Sequence, residues 1–247
     1  MIYVRSVVFQ LCFYAWTVVL AFIALPALIL PFWAISFVSR VWSHVIFILL
    51  RTLNGLTYRI EGTEILPSQP VIFASKHQSA WDTMIFPYIL HEPAVILKKE
   101  LHWIPFYGWY AKKYGTIGID RSGGAAALRA MLRDARAAIE GGRSIVVFPE
   151  GTRTEPGEVK TYQSGIAALY RDLDIPVVPV ALNSGLLWSR RSILRKPGTI
   201  TLRFLPAIPP GLNRADFMAR LESDIETAQK QLPGLETAPE PVPNTPA

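Results

Sequence analysis

The sequence predicts an α/β fold, a mostly parallel or mixed sheet covered by helices, preceded by an N-terminal hydrophobic helix or helical hairpin in the membrane. Three observations carry this prediction. After residue 60, short β-branched runs alternate with stretches of helical period, the pattern expected of crossover connections. Before it, the 34 residues from Ser6 to Ser39 carry no charge. Across all 247 residues, 51% are hydrophobic and 18% charged, against about 25% charged in an average soluble domain. A chain of this length and composition is not disordered and suits a single core.

Residues 1–57 read as the membrane segment, 58–232 as the main domain and 233–247 as a disordered Pro-rich tail. The run from Phe13 to Phe37 exceeds the ~20 residues that one crossing needs. Pro26 and Pro31 interrupt it, and a second apolar stretch, Val45 to Leu50, comes after Arg40. Two forms fit: residues 6–25 crossing alone, or 6–25 and 32–50 dipping into the bilayer as a hairpin. Tyr3, Trp16, Trp33 and Trp42 are candidate interfacial anchors. Arg40, Arg51 and Arg59 outnumber Arg5, which favours the cytoplasmic side of an inner or cytoplasmic membrane for the main domain. A cleaved signal peptide would have a much shorter apolar run, of roughly 7–15 residues; a buried core helix is the other alternative. The sole cysteine, Cys12, lies here, so the rest of the chain has no disulfide and no thiol nucleophile.

In the main domain, strands are expected near 70–75, 94–98, 115–119, 144–148, 177–182 and 199–205, each bounded by Pro, Gly or charged residues. Helices are expected near 79–91, 124–140, 162–173 and 214–231. In 124–140, Leu128, Met131, Leu132, Ala135 and Ile139 keep the 3.6-residue period and Gly141-Gly142 ends it. From Pro233 there are five prolines in fifteen residues, too many for a packed element.

Charge narrows the functional classes. The net charge is +6, yet residues 1–60 hold four arginines and no acid, leaving 21 basic against 19 acidic residues beyond them. A nearly balanced domain is no polyanion binder, and no nucleic acid is expected as a partner. With no G-x-S-x-G, no H-E-x-x-H and no Cys-His cluster, neither a serine nucleophile nor a metal is expected.

Three charged motifs close predicted strands. In Lys76-His77-Gln78-Ser79-Ala80-Trp81-Asp82, a regular helix would put His77 and Asp82 ~140° apart. If the helix begins at Ser79, Asp82 becomes the acid of a capping box and reaches back to His77 in the loop, an oriented base. The same residues read alone also fit a plain helix cap. In Phe148-Pro149-Glu150-Gly151-Thr152-Arg153, Pro149 keeps Phe148 extended and Gly151 permits a sharp turn. The turn presents a forked guanidinium suited to phosphate and a carboxylate suited to hydroxyls, or else a local ion pair. Ile119-Asp120-Arg121 ends a third strand. All three lie at carboxyl ends of strands, where open α/β sheets bind ligands.

With these residues in place, the chain resembles the 1-acylglycerol-3-phosphate acyltransferase (lysophosphatidic acid acyltransferase) family from about residue 58 to 210. His77–Asp82 is similar to its first block, Gly115–Arg121 (GTIGIDR) to its second, Phe148–Arg153 (FPEGTR) to its third and Val178-Pro179-Val180 to its fourth, with Lys98 to Gly108 between. Lys76 stands where many members have Asn. The resemblance implies transfer of a fatty acyl group from acyl-CoA or acyl-carrier protein to the sn-2 hydroxyl of lysophosphatidic acid. It implies phosphatidic acid as product, membrane lipids as surroundings and no cofactor. It makes His77 the general base and Asp82 its orienter. Arg121, Glu150, Gly151, Thr152 and Arg153 would hold the glycerol phosphate, and Lys99 a phosphate or the developing oxyanion.

The same chemistry on glycerol-3-phosphate, another lysophospholipid or a lyso-ornithine lipid is the nearest alternative. A non-catalytic protein binding anionic lipid is the next. Two basic clusters lie outside the blocks. Arg129, Arg133 and Arg136 form a polar helix stripe, and Trp188 with Arg190, Arg191, Arg195 and Lys196 reads as a lipid- or carrier-contacting loop or a plain exposed one.

Overall fold

Proline placement decides the form of the N-terminal segment in the computed structural model, which describes residues 1–235. Helix α1 (Ile2–Ile23) ends at a 3₁₀ turn carrying Pro26, and Pro31 caps α2 (Phe32–Leu49), so the two helices form a hairpin. At helix starts a proline's missing N–H costs nothing. The helices are joined by Trp42, whose indole Nε1 donates to Thr17 Oγ1 at 3.0 Å. Trp16 and Trp42 pack against the core, so they are not the outward anchors expected of them; Tyr3 and Trp33 do face outward. A π-helical turn, Leu50–Asn54, ends at Gly55 in the left-handed region and feeds the first strand.

Seven strands come next: β1 (Leu56–Glu61), β2 (Ile72–Ser75), β3 (Ala94–Lys98), β4 (Ile117–Ile119), β5 (Ile145–Val147), β6 (Val177–Leu182) and β7 (Gly198–Phe204). Between them lie α3 (Trp81–Ile89), α4 (Tyr107–Lys113), α5 (Gly124–Glu140), α6 (Gly165–Leu173) and α7 (Ser184–Leu187), with α8 (Arg214–Lys230) after β7. The strand order is β1-β7-β6-β2-β5-β3-β4. All pairs are parallel except β6–β7, which is antiparallel. The predicted mixed, mostly parallel sheet is the observed one.

Two cores flank the sheet. One contains Phe9, Ile46, Phe47, Trp81, Ile85 and Phe86 from α1, α2 and α3, so the hairpin is a layer of the fold and not an appendage. The other contains Met131, Ala135, Ile166, Leu169, Phe217 and Leu221 from α5, α6 and α8. Burial on both sides explains why β2, β5 and β6 read as continuous apolar runs rather than alternating ones.

Strand β1 and helix α4 go beyond the elements expected from sequence. Strand β1 (LTYRIE) is an edge strand paired, among the described residues, with β7 alone, and Arg203 Nε of β7 donates to its Glu61 Oε2 at 2.8 Å. Helix α4 has seven residues, too few for a period to show. Pro179 is tolerated inside β6 because its contact with the chain after β7 uses only its carbonyl, which accepts from Leu205 N at 3.0 Å. The tail expected from 233 begins within the fold: residues 231–235 turn, and Leu235 is buried with Ala181, Ala228 and Leu232. Residues 236–247 lie outside the described residues.

Candidate active site

Strands β6, β2, β5, β3 and β4 run parallel, so their carboxyl ends share one edge and the predicted motifs meet there. The loop after β2 carries His77. Helix α3 begins at Trp81, two residues later than expected, with Ala80 as its N-cap. The capping contacts form regardless: Ser79 Oγ accepts from Trp81 N at 3.0 Å, and Asp82 Oδ2 accepts from Ser79 N at 2.8 Å.

The same Asp82 Oδ2 lies 2.9 Å from His77 Nδ1 and accepts from Gln78 N at 2.7 Å. Its other oxygen accepts from Ser184 Oγ at 2.6 Å. Asp82 is fully buried, a costly place for a carboxylate unless donors replace its water, and these four do. The arrangement assigns the proton on Nδ1 to face Asp82, leaving the Nε2 lone pair free. Among the described residues, Nε2 has no hydrogen-bond partner. Phe148, just after β5, stacks on the imidazole with centroids 4.1 Å apart and planes 24° apart. Ring and tautomer are both held.

Glu150 is placed differently from the expectation. Its carboxylate is buried and faces inward: Oε1 lies 2.8 Å from Lys76 Nζ and 3.2 Å from Thr154 Oγ1, and Oε2 accepts from His77 N at 2.9 Å. Surrounded by protein donors, it holds the His77 loop to the turn after β5 and does not line the cleft. Burial pushes its carboxyl above the usual value, and the Lys76 ammonium pulls it part of the way back. Lys76 is itself buried, bonded to Glu226 of α8 at 2.6 Å and to the Glu158 carbonyl at 3.1 Å. Tyr162 donates to the same Glu226 oxygen at 3.0 Å.

Residues Gly151, Thr152 and Arg153 do line the cleft, together with Arg121, Lys98 and Arg190. Gly151 has φ +68°, a backbone that side chains rarely adopt, and a Cβ there would stand 3.2 Å from Gln163 Cγ, so the turn calls for glycine. Arg121 leaves a turn in which Ser122 N and Oγ donate to Asp120 Oδ1 at 3.0 and 2.6 Å. Arg190 Nη1 donates to the Arg153 carbonyl at 3.0 Å. Among the described residues none of Lys98, Arg121, Arg153 and Arg190 forms an ion pair. Four unpaired cations at one mouth suit an anion.

Lys99 is not among them. It begins the 3₁₀ turn after β3, more than half exposed and 3.9 Å from Asp120, while Lys98, one residue earlier, lines the cleft. Of the 188–196 cluster, Arg195 is buried, bonded to Gln10 at 3.1 Å and stacked 4.2 Å over Trp188. Burial lowers its guanidinium to about 10. It fastens α1 to the domain instead of meeting lipid.

The cleft, about 1150 Å³, runs from His77 between the sheet edge and the hairpin. Beyond the cationic mouth its walls are apolar: Leu20, Ala24, Ile35 and Val38 from the hairpin and its turn, with Val95, Leu128 and Met131 from the domain. Sequence reasoning missed Ser184, Phe148 as a stacking partner, and Glu226. Only Ser184 carried a cue, its place just after β6, which marks the ligand edge and not its partner Asp82.

A family model described as Acyltransferase matches residues 57–183, half of the chain, including His77, Asp82, Arg121, Phe148 and Gly151 to Arg153. A 1-acyl-sn-glycerol-3-phosphate acyltransferase of Pseudomonas aeruginosa is 34% identical over 83% of this chain and 80% of its own length. One of Limnanthes douglasii is 30% identical over 69% of this chain and 61% of its own length. In fold, the chain is similar to the crystal structure of the 1-acyl-sn-glycerophosphate (LPA) acyltransferase of Thermotoga maritima, with a TM-score of 0.76 at 22% identity, covering 95% of this chain and 98% of that one. The oriented histidine, the cationic mouth and the matched blocks coincide, and the chain belongs to the Acyltransferase family.

Proposed function

We propose that this protein moves a fatty acyl group from an acyl thioester, acyl-CoA or acyl-carrier protein, to the sn-2 hydroxyl of 1-acylglycerol-3-phosphate, giving phosphatidic acid. The observation that carries the reading is the free Nε2 of His77, opening between four unpaired cations and an apolar cleft. An acceptor with a phosphate, a free hydroxyl and a hydrocarbon chain matches those three features. The names of the two curated relatives agree with it.

In this reading His77 Nε2 takes the proton of the acceptor hydroxyl as its oxygen attacks the thioester carbonyl. The new C–O bond forms, the tetrahedral oxyanion collapses, the C–S bond breaks, and the Nε2 proton passes to the departing sulfur. Asp82 stabilises the transient imidazolium and keeps the tautomer. Arg121, Thr152, Arg153 and the bare Gly151 backbone meet the phosphate, with Lys98 and Arg190 completing the mouth. Glu150 acts one step back, by holding the His77 backbone.

The hairpin brings this chemistry to a bilayer. Both helices are long and apolar enough to cross a membrane. However, α1 meets the domain at both ends: Ser6 Oγ accepts from Arg195 N at 2.9 Å, and the Ala21 carbonyl accepts from Tyr110 OH at 2.5 Å. A crossing helix would leave the domain by one end. This supports a hairpin lying in one leaflet, with Leu11, Tyr14, Val18 and Phe22 turned to lipid.

His77→Ala tests the mechanism. Removing the base should cost roughly 10²- to 10⁴-fold in acyl transfer while circular dichroism stays that of the folded chain, with melting lowered by the loss of one Asp82 donor. Near-normal turnover in that variant would remove His77 from the mechanism.

A further inference from the structure

Between β3 and α4, and on α4 itself, large apolar side chains face solvent without any benefit from water. Trp103 is 74% exposed, and Ile104, Tyr107 and Trp109 are each 46–48% exposed. The turn is nonetheless tightly built. Phe106 has φ +62° and ψ −62°, and Tyr107 N donates to the Pro105 carbonyl at 2.7 Å, which is a γ-turn of the rare, strained kind. Gly108 lies so close to His102 that a Cβ would overlap its carbonyl oxygen. His102 Nε2 in turn bonds Thr116 Oγ1 at 2.8 Å. A strained, pinned turn displaying two tryptophans is a presented surface.

That surface is continuous with the hairpin. Phe106 packs on Phe22 of α1 with centroids 5.0 Å apart, and Trp109 packs on Phe106 at 5.0 Å. An aromatic path therefore runs from the outward face of α1 onto the domain. Cations flank it: residues 98–113 hold four lysines against one acid, Glu100. Lys112 Nζ lies 5.3 Å over the Trp103 ring, and Lys98 and Lys99 are exposed at the start of the turn. Aromatic rings between apolar surface and lysines form the composition of a membrane interface, with rings at headgroup depth and ammonium groups on anionic lipid. Ile104, Pro105, Phe106 and Tyr107 also line the cleft.

We propose that residues 103–109 are a second membrane-interface element, seating Trp103 and Trp109 among the headgroups of an anionic bilayer beside the end of α1. The cleft mouth then opens at the lipid surface, and a lipid acceptor enters without crossing water. The inference rests on the leaflet reading of the hairpin and goes beyond it to a part of the domain outside the hydrophobic segment.

The test uses the full chain with Cys12→Ser and one new cysteine carrying a polarity-sensitive fluorophore, at Trp103→Cys, Trp109→Cys, Leu11→Cys or Arg220→Cys. Leu11 lies on the outward face of α1 and Arg220 is exposed on α8, in the opposite layer. Each protein is bound to phosphatidylcholine vesicles containing phosphatidylglycerol, and quenching by brominated acyl chains is compared with quenching by aqueous iodide. The expected result is lipid quenching and iodide protection at 103, 109 and 11, with the reverse at 220. Iodide access kept at 103 and 109 while 11 is lipid-quenched overturns the proposal and leaves the hairpin reading intact. Iodide access at 11 as well overturns both. Protection at 103 that grows with protein concentration in the absence of vesicles assigns the surface to a second copy, and also overturns it. None of these readouts depends on acyl transfer, so the proposed reaction is tested separately.

Discussion

Arg153 and Lys76 flank the same pair of loops and show how differently a charge is used at the mouth and behind it. Arg153 faces the cleft without an acid partner among the described residues, so its replacement should be felt by the acceptor. Loss of a hydrogen bond to a charged group, about 1.5–3 kcal/mol, predicts that Arg153→Ala raises the acceptor KM roughly ten- to a hundredfold, with little effect on the donor KM. Initial-rate kinetics with each substrate varied in turn would show this; an unchanged acceptor KM counts against the phosphate contact. Lys76 instead neutralises Glu150 and Glu226 in the interior. Lys76→Met leaves burial of Glu150 unopposed, pushes that carboxyl still higher and should destabilise by about 3–5 kcal/mol. Adding Glu150→Gln should recover part of the loss in thermal melts. The His77–Asp82 pair was legible because its contact spans five residues and a helix cap fixes it. The Ser184–Asp82 and Lys76–Glu226 bonds span 102 and 150 residues, and no local pattern encodes such contacts. The inward placement of Glu150 was illegible for the same reason, since its partner Lys76 comes from the loop after another strand.

At the scale of elements, the sequence was informative wherever burial or punctuation imposed a pattern. Pro26 and Pro31 marked the hairpin turn, and the period of α5 with its terminal glycines matched Gly124–Glu140. Strand β1 alternates Leu56, Tyr58 and Ile60 with Thr57, Arg59 and Glu61, the period of a half-buried strand, but it is short and its partner β7 lies 142 residues away. Helix α4 was hidden because neighbours, not periodicity, hold it. The turn before α4 gives a pH prediction. Burial, aided by the Lys112 ammonium, holds His102 below the usual imidazole value. As pH falls through about 6.5, the unfolded chain therefore takes up a proton before the folded one, and the stability due to neutral His102 declines. His102→Gln should flatten this acid-side slope in melting temperature between about pH 7 and 5. An equally steep slope in the variant would mean that other groups set it.

For the whole molecule, the net charge of +6 resolves into separate uses. Arg5, Arg40 and Arg51 belong to the acid-free hairpin and its connection to the domain, and Arg59 to the first strand. Arg195 locks that hairpin down, and Lys98, Arg121, Arg153 and Arg190 line the cleft without ion pairs among the described residues. The scarcity of charge elsewhere comes from a sheet covered on both faces and a hairpin whose outer face is apolar. Acyl transfer to lysophosphatidic acid is tested most directly by giving the purified protein labelled acyl-CoA, or acyl-carrier protein, with a panel of acceptors: lysophosphatidic acid, glycerol-3-phosphate, other lysophospholipids and a lyso-ornithine lipid. Labelled phosphatidic acid from lysophosphatidic acid, reduced at least about a hundredfold with His77→Ala and far above product from any other acceptor, is the predicted result. Preferential labelling of another acceptor, or lipid binding without turnover on any of them, would contradict it.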